Sequence, residues 1–289
     1  MRILIAVVHY WNPDGSGQHG SLRPNARPRI EALQQQLLSL MRLGQRQAQL
    51  TMETLSADPA NKSFQHRIDI KIITDGEHHV LDQLDPPFRS LFQMVVSTPE
   101  SPKHLGFEAH RFLASRLNDS YDLYAYFEDD LIVLDPGFFS KISWFRSQAG
   151  EDCVLLPHRI EFSSVPDVVD RFFIDGPIPE ADLRRVIPNP SPAIGSPYPG
   201  GTVYFESPRN PHSGCFVLSH QQLDYWTQQA WWLDGDCSLI SPLESAASLG
   251  VAKSFRLYKP AMANASWLEI QHWGTNFHCL IGNKVSLST

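Results

Sequence analysis

Three consecutive acids, Glu128, Asp129 and Asp130, follow an apolar and aromatic stretch at residues 121–127. The apolar stretch is typical of a buried strand. Adjacent carboxylates at its end are unfavourable, because their charges repel and burial strengthens the repulsion. A divalent cation would offset this cost, since hard cations take oxygen ligands. The alternative is a solvated turn in which Asp135 caps the next helix. Strand alternation predicts Glu128 and Asp130 on one face and Asp129 on the other.

The elements that would position this triplet alternate between strand and helix in the first half of the chain. Apolar runs and helical spacing predict strands at residues 2–9, 67–74 and 91–97, and helices at 27–43, 105–117 and 138–146. This alternation predicts an α/β fold with a mostly parallel central sheet and helices on both faces. Ligands of such sheets bind beyond the carboxyl ends of the strands. The strand ends at residues 9–10 and 74–75 are therefore expected to share one crevice with the acidic triplet.

The second half is predicted to be less regular, because many of the 22 prolines fall there. Residues 177–199 are Pro-rich and are predicted to form a loop, a candidate for closing over substrate. The polar residues 45–65 are predicted to be an exposed connection. Further strands are predicted at 152–157, 214–218 and 255–258, with a helix capped by Ser219 and another at 242–249.

Composition argues against several classes of function. The chain has 289 residues, of which 42% are hydrophobic, and a net charge of -7, whereas a nucleic-acid partner would want a basic face. No stretch approaches the ~20 apolar residues of a membrane span. Residues 2–8 are too short for the core of a signal peptide. The cysteines are far apart, which predicts reduced, mostly buried thiols in a cytoplasmic protein, with two disulfides as the alternative. They are Cys153, Cys215, Cys237 and Cys279.

The first half of the chain resembles the GT-A family of nucleotide-sugar glycosyltransferases. The resemblance rests on the first strand, on the helix that begins Leu105-Gly106-Phe107, and on the hydrophobic strand that ends in Glu128-Asp129-Asp130. That triplet is similar to the family's Asp-x-Asp motif in its Glu-Asp-Asp form. The resemblance implies one continuous GT-A-like domain. Residues 1–160 would bind the nucleotide sugar, and the irregular residues 161–289 would bind the acceptor.

The resemblance implies a role for each polar residue at the predicted sheet edge. Asp130 would be a direct ligand of Mn²⁺ or Mg²⁺, Glu128 would join through water, and Asp129 would bind ribose or sugar hydroxyls. The cation would neutralise the charge that builds up on the diphosphate leaving group. The remaining donor-binding candidates are His9, Tyr10, Asp75 and Arg111. Tyr10 would stack on a uracil ring and Asp75 would accept from its N–H. For His9, Tyr10 and Arg111, ordinary packing is an equal alternative.

Inverting members of the family need a general base in the second half of the chain. Glu244 fits by position, although a Glu at N3 of a helix capped by Ser241 is also a common capping box. Asp234 and Asp236 are the rival bases. They follow two tryptophans, which would suit a sugar face or the core equally well.

Histidines in the second half could complete the site. His272 and His278 are candidates for the metal, because many family members add a C-terminal histidine and imidazole is a reasonable Mn²⁺ ligand. His212, His158 and Arg159 could line the acceptor site, where a saccharide or another hydroxyl compound would bind.

The sequence departs from the family pattern in places, and two other functions stay open. The second strand is followed by Thr74-Asp75-Gly76 rather than Asp-Asp-Gly-Ser, and the Gln-x-x-Arg-Trp motif of processive synthases does not occur. A sugar-1-phosphate nucleotidyltransferase would need a Gly-rich, Arg-containing loop after the first strand, which residues 15–23 imitate poorly. A non-catalytic carbohydrate-binding protein on the same fold is the second alternative. A phosphotransferase of the haloacid-dehalogenase type is disfavoured, because it would need an Asp-x-Asp motif on the first strand and this strand ends in His9-Tyr10.

Overall fold

Strands and helices alternate along most of the chain. A computed structural model describes residues 1–15, 20–163, 169–274, 277–281 and 284–286. In chain order the elements are β1 (Arg2–Val8), α1 (Arg27–Arg42), β2 (Gln47–Thr51), β3 (Ser56–Ala60), β4 (Arg67–Thr74), α2 (Pro86–Arg89), β5 (Gln93–Val96), α3 (Leu105–Ala114), β6 (Leu123–Glu128), β7 (Leu131–Ile132), α4 (Phe138–Ala149), β8 (Cys153–Leu155), β9 (His158–Phe162), β10 (Arg171–Phe173), α5 (Glu180–Val186), β11 (Ile194–Tyr198), β12 (Gly201–Glu206), β13 (Cys215–Ser219), α6 (His220–Thr227), α7 (Pro242–Ser254), β14 (Arg256–Pro260) and β15 (Glu269–His272).

The central sheet has the strand order β13-β6-β1-β4-β5. The strands β6, β1, β4 and β5 are parallel, and β13 is antiparallel to β6. Val8 pairs with Glu128 on one side and with Ile73 on the other, so β1, β4 and β6 end at the same edge of the sheet. The predicted α/β fold with a mostly parallel sheet is confirmed, and the acidic triplet lies at its carboxyl edge.

Both faces of the central sheet are covered by helices. Along β1 the side chains of Ile3, Ile5 and Val7 belong to a core that includes residues of α1 and α4. The alternate side chains of the same strand belong to a second core with residues of α3, α6 and α7. A strand buried on both faces has a continuous apolar sequence, which explains why β1 shows no polar alternation.

Helix α7 approaches α3 closely because α3 has a glycine at the contact. A Cβ atom at Gly106 would lie 2.5 Å from the Cβ of Ala246 on α7. A real Cβ cannot come this close, so a larger residue here would push α7 away from the sheet. Glu244 lies in the first turn of the same helix α7.

The second half of the chain contributes strands to sheets that begin in the first half. In one four-stranded sheet, of order β10-β9-β15-β7, β15 runs parallel to β9 and antiparallel to β7. In the other, of order β11-β12-β14-β8, β14 pairs with β8. The boundary at residue 160 therefore stays a prediction, and the two halves are joined by strand pairing.

Three local predictions are corrected. Residues 45–65 contain a β-hairpin, β2 with β3, rather than an irregular connection. The Pro-rich residues 177–199 contain α5 and β11 rather than only a loop. The strand predicted at 255–258 is followed by a further strand, β15. Among the described residues, no helix is long and apolar enough to cross a membrane.

Candidate active site

The acidic triplet lies at the end of a strand, where Glu128 and Asp129 are buried and Asp130 is half-buried. Strand β6 ends at Glu128, and Asp129 and Asp130 form the turn that leads to β7. Asp129 and Asp130 both lie 3.1 Å from Nη1 of Arg29. The prediction that alternation separates these two side chains is wrong, because the extended backbone stops one residue earlier.

Arg29, near the start of α1, neutralises part of the triplet. Its side chain is 16% exposed. Burial alone would lower its pKa, but the charges of Asp129 and Asp130 hold the pKa of Arg29 above its ordinary value. Sequence reasoning missed this residue, because nothing local to α1 shows which of its arginines faces an acid a hundred positions away.

Asp129 is fixed by the end of β1. Nδ1 of the fully buried His9 lies 2.6 Å from Oδ2 of Asp129, and the backbone N–H of Val80 donates to Nε2 of His9 at 3.0 Å. Since Nε2 accepts, Nδ1 bears the proton and donates to Asp129. Burial would raise the pKa of Asp129, but Arg29 and His9 hold it below its ordinary value. Both ring nitrogens of His9 are thus used inside the protein, and its role at the donor stays a prediction.

Asp130 faces a histidine from β15. Nε2 of His272 lies 3.7 Å from Oδ2 of Asp130, and Nδ1 of His272 lies 2.9 Å from Oε1 of Glu161. The other oxygen of Asp130, Oδ1, is buried and has no hydrogen-bond partner among the described residues. His278 contacts the other oxygen of the same Glu161 carboxylate: its backbone N–H donates to Oε2 at 2.9 Å, and its ring Nδ1 lies 3.7 Å from Oε2.

Glu128 belongs to a separate cluster of buried charges. Its Oε2 lies 3.9 Å from Nη1 of Arg159, which also makes a two-pronged ion pair with the buried Asp175 at 2.6–3.1 Å. Nζ of Lys259 lies 3.8 Å from Asp175 and donates to the backbone oxygen of His212 at 2.6 Å. Burial raises the pKa of Glu128 to about 8, against the lowering effect of Arg159. Burial likewise lowers the pKa of Lys259 to about 8.

Glu244 reaches the same cluster through His212. Nε2 of His212 lies 3.6 Å from Oε1 of Glu244 and 4.0 Å from Oε1 of Glu128. Nδ1 of His212 accepts the N–H of Gly214 at 3.4 Å, so Nε2 bears the proton and points between the two acids. Oε2 of Glu244 is buried without a hydrogen-bond partner in the described part of the chain, and burial raises the pKa of Glu244. The N–H of Glu244 donates to the hydroxyl of Ser241, as expected of the cap.

Gly214 makes room for Glu128 at this point. Its φ is +65°, and a Cβ atom there would lie 2.9 Å from Oε2 of Glu128 and 2.9 Å from Cδ1 of Leu131. Both the left-handed backbone and the close approach require glycine. The entry to β13 thus sets the space in which the Glu128 carboxylate lies.

The remaining donor-site candidates have local partners. Asp75 accepts from the backbone N–H groups of Glu77 and His78 and lies 2.8 Å from Nδ1 of His78. Burial is more than offset by these bonds, so the pKa of Asp75 is below its ordinary value. The ring of Tyr10 lies beside that of His78, with centroids 5.3 Å apart. Arg111 is exposed and pairs with Glu108 at 3.4 Å on its own helix.

The rival bases Asp234 and Asp236 do not join the buried cluster. They lie 2.6 and 2.9 Å from Nζ of Lys253, and their side chains are 28% and 30% exposed. The structure thus brings Glu244, and not this pair, next to the acidic triplet.

Asp130 and His272 fit a divalent cation that is shared with a substrate. Oδ1 of Asp130 and Nε2 of His272 are a carboxylate oxygen and an imidazole nitrogen, both ligands of Mn²⁺. Within the described part of the chain, no three His, Cys, Asp or Glu side chains form a complete ligand set. Mg²⁺ and its relatives commonly take one or two protein ligands and complete their shell with water and substrate phosphates, which matches a two-ligand site.

The comparisons with known proteins give distant likenesses only. No family model and no curated protein matches the chain. Mannose-1-phosphate geranyltransferase from Thermus thermophilus is 10% identical, with 90% of this chain and 73% of that chain covered and a TM-score of 0.41. TarS from S. aureus is 10% identical, with 95% and 37% covered and a TM-score of 0.43. The CTP complex of CMP:2-keto-3-deoxy-manno-octonic acid synthetase is 12% identical, with 90% of each chain covered and a TM-score of 0.37. The chain thus spans little more than a third of TarS, and its function has to be argued from the site.

Proposed function

We propose that this protein is a metal-dependent, GT-A-type glycosyltransferase that moves a sugar from a nucleotide-sugar donor, of the UDP-sugar type, to a hydroxyl acceptor. One observation supports this most directly. At the carboxyl edge of a parallel sheet, Asp130 faces His272 and keeps one oxygen without a partner among the described residues. A half-buried acid, Glu244, approaches the same triplet through His212.

The donor would bind across the ends of β1, β4 and β6, where ligands of parallel sheets bind. Tyr10 offers an aromatic face for the base, and Asp75 lies in the next strand end. Arg29 and Arg159 supply positive charge beside the acidic triplet, and the role of the exposed Arg111 at phosphates or sugar stays a prediction.

Asp130 and His272 would hold Mn²⁺ or Mg²⁺, which supplies positive charge to the diphosphate as the donor's glycosidic bond breaks. Arg29 lies on the other side of Asp130, at 3.1 Å. Its Nη1 donates to Oδ2 of Asp130 and would fix the orientation of the carboxylate.

Glu244 is the proposed general base. The acceptor oxygen would form a bond to the anomeric carbon, its proton would pass to Glu244, and the electron pair of the broken carbon–oxygen bond would leave with the nucleotide diphosphate. A buried carboxylate with a raised pKa is better suited to this step than an exposed one, because the best catalytic pKa lies near the working pH. A direct displacement of this kind inverts the configuration of the sugar.

A thermal-shift panel of nucleotide sugars, with and without Mn²⁺, tests the proposal. A ligand that binds only the native form raises the melting temperature, so we expect a UDP-sugar to raise it in the presence of Mn²⁺ and much less without it. Asp130→Ala should remove the Mn²⁺-dependent part. Stabilisation by a nucleoside triphosphate with a sugar phosphate, accompanied by pyrophosphate release, would instead identify a nucleotidyltransferase.

A further inference from the structure

We propose that Glu161 is a positioning residue for the metal site: it orients the imidazole of His272 so that Nε2 faces Asp130. This inference rests on the proposed function, because it concerns the cation that Asp130 and His272 would share. Nothing in the sequence around Glu161 points to such a role, since it lies in an ordinary strand, β9.

Glu161 is fully buried, and its carboxylate faces His272 and residues 277–278. Its Oε1 lies 2.9 Å from Nδ1 of His272. Its Oε2 accepts the backbone N–H groups of Phe277 and His278 at 3.0 and 2.9 Å. The two backbone N–H groups occupy Oε2, so Oε1 is the oxygen that is left to accept from the ring of His272.

An acceptor at Nδ1 decides the tautomer of His272. Nδ1 must bear the proton that it donates to Glu161, so Nε2 presents its lone pair on the opposite side of the ring. That side faces Oδ2 of Asp130 at 3.7 Å. The arrangement matches the common pattern in which a carboxylate holds the far nitrogen of a metal-bound histidine.

The second sheet fixes these three side chains relative to one another. β15 lies between β9, which carries Glu161, and β7, which directly follows Asp130. His272 pairs with Leu131 on β7, and the N–H of Trp273 donates to the backbone oxygen of Asp130 at 2.7 Å. The backbone pairing thus places His272 beside Asp130, and the contact with Glu161 fixes the orientation of the His272 imidazole.

Mn²⁺ binding to the whole protein, measured from the EPR signal of free Mn²⁺, tests the inference without any turnover. We expect Glu161→Gln to weaken Mn²⁺ binding about 10- to 100-fold, because a Gln side chain cannot accept from both the ring and the two backbone groups. Glu269→Gln is the matched control. Glu269 lies in the same sheet and pairs with Arg171 at 2.7 Å, so its loss should leave Mn²⁺ binding unchanged.

A second measurement keeps the inference testable if Glu161→Gln does not fold. Long-range ¹H–¹⁵N NMR spectra of the wild-type protein should show His272 protonated at Nδ1 and bare at Nε2 at mildly alkaline pH. The opposite tautomer in the wild type would overturn the inference, as would equal Mn²⁺ affinity of the Glu161→Gln and Glu269→Gln proteins when Asp130→Ala has lost it. A wild-type protein that binds no Mn²⁺ would overturn both this inference and the metal role in the proposed function.

Discussion

Two acidic regions of this protein look alike in sequence and differ in structure. Glu128-Asp129-Asp130 follows an aromatic strand, and Asp234-Gly235-Asp236 follows two tryptophans. In the second region one lysine, Lys253, lies within 2.9 Å of both acids. In the first region Glu128 and Asp129 are buried and Asp130 is half-buried, and Oε1 of Glu128 and Oδ1 of Asp130 have no hydrogen-bond partner within the described ranges.

The two regions differ in whether the oxygens of their acids have partners within the described residues. A buried polar atom without a hydrogen-bond partner costs about 1–3 kcal/mol, so a protein that retains several at one place must offset them elsewhere. Such atoms call for an explanation, and a catalytic role or an absent ion is one. The pair bound to Lys253 is already satisfied, and its proximity to tryptophans has a structural explanation, since Trp231 and Trp232 pack against the core of α3, α6 and α7.

The largest expected effect is on Asp130, with Asp234 as its counterpart. Asp130→Ala should lower sugar transfer and donor hydrolysis by at least about 1,000-fold, because it removes a proposed metal ligand. The far-UV circular dichroism spectrum should be unchanged. Asp234→Ala should retain wild-type turnover. Equal activity of Asp130→Ala and Asp234→Ala in a nucleotide-release assay would contradict the metal role of Asp130.

Glu244 and Asp236 give the next contrast, between a candidate base beside the triplet and one that is paired with Lys253. Glu244→Gln should lower transfer by about 100- to 10,000-fold while retaining donor affinity, since the amide keeps the shape but takes no proton. Asp236→Asn should have no such effect. Turnover and donor affinity, measured separately by steady-state kinetics and calorimetry, check this. A fully active Glu244→Gln protein would reassign the base.

Arginine and lysine partners should differ in their effect on stability. Arg159→Met removes the guanidinium beside Glu128 and leaves Asp175 with the more distant Lys259, at 3.8 Å. We expect a loss of about 3–5 kcal/mol in the free energy of unfolding. Lys253→Met removes an ion pair in which the lysine side chain is 34% exposed, and we expect less than about 1 kcal/mol. Urea unfolding of both variants provides the values. Similar losses would mean that the buried cluster is not tightly coupled.

A buried and an exposed histidine should differ in their effect on the pH dependence of stability. The buried one, His110, lies on α3. It is buried among aromatic rings, neither ring nitrogen has a side-chain hydrogen bond within the described residues, and burial lowers its pKa to about 3. In the unfolded chain His110 takes up a proton near pH 6.5, whereas in the folded protein it stays neutral down to about pH 3. The free energy of unfolding therefore falls as the pH drops from about 6.5 towards 3.

His110→Phe should therefore reduce the loss of stability between about pH 7.5 and pH 5 by ~2 kcal/mol. His220→Phe, at an exposed position, is the control and should leave the pH dependence unchanged. Urea unfolding at both pH values measures this. Parallel pH profiles for wild type and His110→Phe would show that His110 is hydrated in the folded protein.

The sequence predicted the elements of the central sheet because their signals are local. The strand predicted at 67–74 matches β4, and the helix predicted from Leu105 begins there. Capping of α6 by Ser219 is also as predicted, with a full capping box to Gln222. These features depend on hydrophobic period and on neighbouring residues, which a single sequence displays.

The sequence singled out candidate residues such as Asp130, Glu244 and His272 by their type and position. It did not predict the contacts that these residues make with other elements. Arg29, Asp175 and Glu161 were not predicted because each contributes through a partner on another element. Strand β15 was missed because its short segment acquires extended structure from the strands on either side. Alternation failed at Asp129 because a strand end, unlike a strand interior, is decided by the turn that follows it.

The position of β15 between β7 and β9 also has a consequence during protein synthesis. The ribosome delivers Asp130 and Glu161 well before His272, so the strand that joins them must insert between two partners that are already made. A nascent chain would be able to close its central sheet only after β13 emerges, and would gain its full cation affinity later still. Under the proposed function, such late completion would keep a growing chain from binding Mn²⁺ before the strands of the second half have paired.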